Sequence, residues 1–323
     1  LAGLPNTIAA QTINRFCSSG LQAVALAADQ IRLGNADLML AGGTESMSMV
    51  PMMGNKIAMA PSVFDNDHVA IAYGMGITAE KVAEEWKISR EDQDAFALAS
   101  HQKAIAAMQA GEFKDEISPY EVMSRSPQLA GNTIQLRKLL VEHDEGPRPD
   151  TTLEGLAKLR TVFRNPQFGG TVTAGTSSQM SDGAAGVLLA PDRASKDHGL
   201  PRLARFVSCS VAGVRPEVMG IGPIAAIPKA LKQAGITKEQ LDWIELNEAF
   251  AAQALAVIRD TGLDPSKINP LGGAIALGHP LGATGAIRTA TIVHGMRRRQ
   301  QKYGMVTMCI GTGMGAAGVF ESL

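Results

Sequence analysis

Apolar residues recur at helical spacing at Leu21, Val24, Ala28 and Ile31, directly after the stretch "NRFCSSG" (14–20), and Gly34-Asn35 supplies a stop. The segment "DLMLA" (37–41) reads as a short buried strand that ends at Gly42-Gly43, and a further strand is expected to run into Cys17. Strand, turn, helix, strand is an α/β layout. The texture then changes. Residues 46–60 are rich in Met with no period. One helix is expected from near Thr78, and a second from Ser89 as N-cap, with Asp92 three residues on and Gly111 at its end. Residues 112–150 mix Pro, Gly and charge and predict short strands and loops. "TVTAGTSSQMSDGAAGVLLA" (171–190) returns to a buried strand with glycines on both sides.

A second α/β unit begins near residue 200. Ile224, Ile227, Leu231 and Ala234 share a helical face, with Gly235 as the stop. "LDWIEL" predicts a strand running into Asn247, "EAFAAQALAVIRD" the next helix, and a further helix covers 284–299. "MVTMCI" and "AAGVFESL" predict adjacent strands joined by a glycine turn. The two halves echo one another. Asn14 and Asn247 each end a strand and open a helix, and each helix leads to a glycine pair, Gly42-Gly43 or Gly272-Gly273. The expected organisation is an N-terminal half at 1–46 and 179–199, an inserted loop domain at 47–178, and a C-terminal half at 200–323.

Thirty basic against 31 acidic side chains, with 45% hydrophobic residues, describe an ordinary globular chain. They argue against a nucleic-acid or membrane-surface protein, and no apolar run approaches the roughly 18 residues of a membrane span. Cys17, Cys209 and Cys309 form neither a disulfide framework nor a metal spacing, which fits a reducing compartment. A bacterial chain would be cytoplasmic. An organellar address is also open, because the sequence starts at Leu1 inside what reads as structure.

Four stretches carry candidate chemistry. At a helix N-terminus, Cys17 would gain thiolate character and nucleophilicity; otherwise it is a packing cysteine. "GGAIALGHPLGATGA" (272–286) sets His279 among five glycines, as a base, an oxyanion donor or an ordinary turn residue. "CIGTGMGAAG" (309–318) stands too close to the C-terminus for a dinucleotide βαβ unit. Its glycines suit a loop of N–H groups around an anion, with Cys309 beside it as a packing residue or a participant. In "NEAF" (247–250), Asn247 reads as an N-cap or a site amide, and Glu248 as a residue favoured by the helix dipole. Arg297 to Arg299 read as a solvated helix end.

Together "NRFCSSGLQAV", "NEAFAAQ", "GGAIALGHPLGATGA" and "CIGTGMGAAGV", in this order across the chain, resemble the thiolase family. The resemblance implies a layered α/β fold of two duplicated βα halves (α-β-α-β-α) with an inserted, coenzyme A-holding loop domain, and a chain lacking that family's first βα units. It implies that Cys17 is the acyl-carrying nucleophile, His279 its activator and Cys309 the second acid/base. Asn247 would hold a water, and the N–H of Gly311 would join that of Cys17 in an oxyanion hole. It places coenzyme A contacts at Met75, Arg148, Phe163, Ala174, Ser178, Ala249 and Phe250. Two positions depart from the family pattern, Thr312 in place of a second glycine and Gly155 in place of a small polar contact. Gly74, where short-chain biosynthetic members often carry His, leans towards the degradative branch.

The implied reaction is thiolytic cleavage of a 3-ketoacyl-CoA by CoA, with CoA as substrate and neither a metal nor a tightly bound cofactor. The implied assembly is a homodimer or homotetramer, with a β-oxidation multienzyme as a further partner. Two alternatives are a short-chain acetoacetyl-CoA thiolase of biosynthesis and a non-catalytic acyl-CoA-binding subunit. A ketoacyl synthase resembles a Cys-His-His set instead, where this chain has Asn247 and Cys309.

Overall fold

A computed structural model of the chain describes residues 2–52, 54–65, 72–128, 131, 133–164, 167 and 169–323. Residues 2–15 form no strand; the chain reaches Cys17 as exposed coil and enters α1 (Ser19–Arg32) through a single 3-10 turn, Phe16–Ser18. The strand expected ahead of Cys17 is therefore not present. Strand β1 (Met39–Ser46) runs straight through Gly42-Gly43 instead of stopping there, and of its residues only Ala41 is buried. Helices α2 (Met75–Glu85) and α3 (Arg90–Gln109) follow, and the Ser89 hydroxyl accepts the Asp92 N–H as the N-cap signature requires.

Strands β2 (Tyr120–Gln128) and β3 (Thr133–Val141) pair antiparallel as a solvent-exposed hairpin. After the short α4 (Leu153–Ala157), β4 (Asp182–Leu189) pairs antiparallel with β1. This two-stranded sheet alternates exposed and half-buried residues, so the buried strand expected at 171–190 is covered on one face only.

After α5 (Asp192–Asp197), the C-terminal region builds a four-stranded sheet in the order β5-β8-β7-β6. It comprises β5 (Ala204–Gly213), α6 (Gly222–Ala234), β6 (Trp243–Leu246), α7 (Ala251–Thr261), α8 (Ala274–Leu277), α9 (Leu281–Arg298), β7 (Tyr303–Ile310) and β8 (Met314–Ser322). Only β6·β7 is parallel. β6, most of β7 and most of β8 are buried, which explains their continuous apolar runs. Gly235 closes α6 at φ 70°, the stop its position predicts.

Leu21, Val24, Trp243, Ile292, Met296, Val306 and Met308 meet in one core between α1, α9 and this sheet. Burying each contributes on the order of 1.5–3 kcal/mol before chain entropy is charged against it. Helices α1 and α9 cross almost in contact. A Cβ on Gly20 would lie 2.5 Å from the Ala286 nitrogen, and one on Gly285 would lie 2.1 Å from the Leu21 nitrogen. The glycines let the first turns of both helices share one place, and so bring the segments carrying Cys17 and His279 together. Arg297 to Arg299 are not merely solvated: Arg298 and Arg299 both pair with Glu112 beyond α3, and the Arg299 guanidinium stacks 4.7 Å from the Trp243 ring.

Candidate active site

Cys17 sits in the 3-10 turn that opens α1 and is buried. The residue before it, Phe16, has φ 47°, a left-handed conformation that costs a non-glycine residue about 1 kcal/mol or more. It forms a sharp bend that directs the sulfur inward. The backbone N–H groups of Gly311 and of Cys17 itself point at that sulfur. Gly311 stands in the β7–β8 turn, where Thr312 (φ 70°) and Gly313 (φ 95°) are both left-handed. Cys309, one residue before the end of β7, is fully buried against Met219 and Ala249, with its sulfur close enough to Cys17 for a charge on Cys17 to disfavour its own.

His279 precedes α9 on the loop that Gly278 turns at φ 92°. Its Nδ1 lies 2.6 Å from the Thr284 Oγ1, and its Nε2 lies 3.3 Å from the Asn247 Nδ2. Asn247 is not an N-cap, because α7 begins only after Phe250; its N–H donates to the Thr307 carbonyl, two residues before Cys309. Its Oδ1 is buried without a partner among the described residues.

Burial sets the charge state of the whole cluster. Desolvation pushes the Cys17 thiol up to about 11, the Glu45 carboxylate adds to the rise, and the two N–H groups oppose it. The helix N-terminus was expected to lower this pKa; the cost of taking a thiolate out of water outweighs it. Burial also raises Cys309, with Cys17 adding to the rise. It lowers His279 to about 3, helped by the positive charge of Arg288. At neutral pH all three rest uncharged.

Three further residues hold this arrangement, and of these only Glu248 stands out in the sequence, as a helix-dipole residue. The Glu248 carboxylate is buried and accepts from Ser100 Oγ (2.6 Å), Asn269 Nδ2 (2.7 Å) and the Ile275 N–H (3.2 Å). It therefore does more than favour a helix dipole: it ties "NEAF" to α3 and to the histidine loop. Gly273 makes the room, since a Cβ there would lie 2.0 Å from the carboxyl carbon. Gln179 Nε2 donates to the Gly146, Ile275 and Ala276 carbonyls, and Glu45 Oε2 accepts the Gly282 N–H at 3.0 Å. These contacts join residues far apart in the chain, so no local pattern announces them.

The residues expected to hold coenzyme A fall into two groups. Met75, Ala249 and Phe250 pack with Cys309, and Phe163 meets Phe250 edge-on at 5.9 Å. Arg148 and Ala174 instead line a cavity of about 280 Å³ with His101, Thr151, Ser177 and Ile275. His101 Nδ1 accepts the Arg148 N–H at 3.2 Å. Ser178 joins the first group through its backbone, donating its N–H to the Ala249 carbonyl. Among the described residues there is no cluster of His, Cys, Asp and Glu suited to a metal, and no helix long and apolar enough to cross a membrane.

The chain matches the family model of the thiolase N-terminal domain over residues 1–193 and that of the thiolase C-terminal domain over residues 200–322. It belongs to the thiolase family. The 3-ketoacyl-CoA thiolase of Bacillus subtilis is 53% identical over 323 residues, covering 99% of this chain and 81% of the relative. Among solved structures, the dimeric peroxisomal thiolase of Saccharomyces cerevisiae superposes with a TM-score of 0.85 at 45% identity, over 96% of this chain and 76% of that one. Human mitochondrial 3-ketoacyl-CoA thiolase in complex with CoA gives 0.87 at 43% identity, over 99% and 80%. The layered α/β fold and the thiolase resemblance read from the four motifs are thereby established.

Proposed function

We propose that the chain is an acyltransferase that cleaves 3-ketoacyl-CoA with CoA, giving acetyl-CoA and a shortened acyl-CoA through an acyl group on Cys17. One observation carries the residue roles: the buried Cys17 sulfur faces two backbone N–H groups, its own and that of Gly311, with Cys309 beside it. N–H groups so placed stabilise the oxyanion of a tetrahedral intermediate, and in a dry site each such donor contributes on the order of 10²-fold.

The chemistry follows from the neutral resting state. His279 Nε2 takes the Cys17 proton as the sulfur attacks the 3-carbonyl carbon, and the alkoxide forms in the Cys17–Gly311 hole. Collapse breaks the C2–C3 bond and expels the enolate of acetyl-CoA. Its oxygen is held by protonated His279 and a water on Asn247, and Cys309 gives its proton to the carbon. The Cys309 thiolate then takes the proton of an incoming CoA thiol, whose sulfur attacks the thioester on Cys17. Cys17 leaves as a thiolate and recovers its proton from His279. Charge never accumulates in the unliganded pocket, consistent with thiols held high and an imidazole held low.

The substrate fits in two parts. Arg148, Ala174 and the cavity beside them would take the nucleotide end of CoA, and Ser178 the pantetheine arm. Met75, Phe163, Ala249 and Phe250 would wall the path to Cys17. No other cofactor is called for. The division into an N-terminal half (1–46 and 179–199), a CoA-holding loop domain (47–178) and a C-terminal half (200–323) belongs to the same reading. So do assembly with a second copy, as in the dimeric yeast relative, and a place in fatty-acid β-oxidation.

The test is a thiolysis assay with acetoacetyl-CoA and a long 3-ketoacyl-CoA side by side. Cleavage of both, faster on the longer chain, supports the degradative reading. Cleavage of acetoacetyl-CoA alone supports the biosynthetic one, and CoA binding without cleavage makes the chain a non-catalytic subunit. His279→Ala should lower turnover by roughly 10² or more while CoA binding holds. Full turnover with a lower Tm would make the histidine structural.

A further inference from the structure

We propose that Thr284 is a positioning residue that fixes the tautomer of His279 and so keeps on Nε2 the lone pair that takes the Cys17 proton. This rests on the reading of His279 as the base given above. Thr284 is buried in the first turn of α9, five residues beyond the histidine, and its Oγ1 has two partners. One is His279 Nδ1 at 2.6 Å; the other is the Pro280 carbonyl at 3.2 Å, four residues back. A hydroxyl has one proton, and a carbonyl oxygen can only accept, so a threonine bonded back along its helix gives its proton to that carbonyl. The Oγ1 lone pair then faces Nδ1, which must be the protonated nitrogen.

The other ring nitrogen agrees. Asn247 Nδ2, a donor, lies 3.3 Å from Nε2 and calls for a lone pair there. The chain of donors runs in one direction: Asn247 N–H to Nε2, Nδ1–H to Thr284 Oγ1, Thr284 O–H to the Pro280 carbonyl. In Ser-His-Asp triads the same task falls to a carboxylate. A neutral hydroxyl orients the ring without raising its basicity, which suits an imidazole that must rest uncharged beside an uncharged thiol. When Nε2 accepts the sulfur proton, Nδ1–H becomes a charged donor and its bond to Oγ1 strengthens, favouring the imidazolium as it forms.

Two measurements decide this. The first is the ¹⁵N shift pair of His279 in the unmodified protein, assigned by its loss in His279→Ala. The expected spectrum is that of an imidazole protonated on Nδ1; protonation on Nε2 overturns the proposal whatever the variants do. The second compares Thr284→Val, which keeps the shape and removes the hydroxyl, with Thr284→Ser, which restores it. Thr284→Val should lose 10- to 100-fold in kcat with the KM for CoA unchanged, and its His279 spectrum should shift towards the other tautomer. Thr284→Ser should regain most of the activity. Equal loss in both variants with an unchanged His279 spectrum makes Thr284 a packing residue and overturns the proposal. If His279→Ala keeps full turnover, the reading of the histidine as base fails first. If His279→Ala collapses while Thr284→Val does not, only the positioning role fails.

Discussion

In the unliganded protein Cys17 should react with iodoacetamide more slowly than an ordinary thiol, although it stands at a helix N-terminus. Burial moves its pKa from 9.0 to about 11. At pH 8 the thiolate would then be about one part in 10³, against about one in ten for the unshifted group, roughly a 100-fold loss of the reacting species. A more basic thiolate is intrinsically more nucleophilic, and a Brønsted slope of about 0.4–0.5 over two units returns close to tenfold. The net expectation is alkylation at pH 8 about tenfold slower than that of a thiol at the ordinary value. Its rate should climb about tenfold per pH unit from pH 7 past pH 10. Cys209 is also pushed up to about 11 by burial and should show the same rise. Timed quenching across this pH range, followed by peptide mass mapping, gives both profiles. A Cys17 rate that levels off below pH 8 would refute the reasoning, because the helix N-terminus and the two N–H groups would then outweigh desolvation.

Three further outcomes follow from single positions. Thr312→Gly removes a β-branched residue at φ 70° and should stabilise the protein by about 1 kcal/mol after the added chain entropy, a rise of roughly 2 °C in Tm; an unchanged or lower Tm would show that no strain is held there. Glu116 is raised to about 7 by burial, with Oε2 unpartnered among the described residues, so the folded state holds its proton more tightly than the unfolded one. Its contribution is then lost as pH rises from about 4.5 to 7, and Glu116→Gln should raise the unfolding free energy at pH 8 by on the order of 3 kcal/mol, seen as a higher Tm, while changing it little at pH 4.5. His279, held near 3, acts in the opposite sense: between pH 6.5 and 3 the unfolded state takes up a proton that the folded state refuses. Stability should therefore fall with pH across that window, and fall less steeply in His279→Ala, as urea melts at pH 7 and pH 5 would show.

The elements that local chemistry determines were legible in the chain. Ser89 with Asp92 marks the start of α3, and Gly235 ends α6, because a cap and a left-handed turn are decided within a few residues. The runs around Trp243 and Met308 are buried strands, as their unbroken apolar character requires. By contrast "DLMLA" and "GAAGVLL" read as buried strands yet lie in a two-stranded sheet with one open face. Apolar content reports what a strand would bury, not what is packed against it. At the site, the order of motifs pointed to Cys17, His279, Asn247 and Cys309. Gln179 and Glu45, and the anchoring role of Glu248, are not legible there because their partners lie at Gly146, Gly282 and Ser100, and long-range pairing has no period in a single sequence. The direction of the Cys17 shift was misjudged for a related reason. A helix start is visible in the sequence, but the degree of burial that opposes it is a property of the assembled fold.

The assignment of the two cysteines is tested most directly by trapping the acyl-enzyme on intact protein by mass spectrometry, beside the thiolysis rate, for three chains. In the unmodified protein acetyl-CoA should leave one acetyl group, mapped to Cys17. In Cys309→Ala that group should still form, because acylation needs only the nucleophile and the N–H groups of Cys17 and Gly311, while thiolysis collapses for want of a proton for the acetyl carbon. In Cys17→Ala no acyl group should appear from any substrate. An acyl group on Cys309, with Cys17→Ala still turning over, would contradict the mechanism.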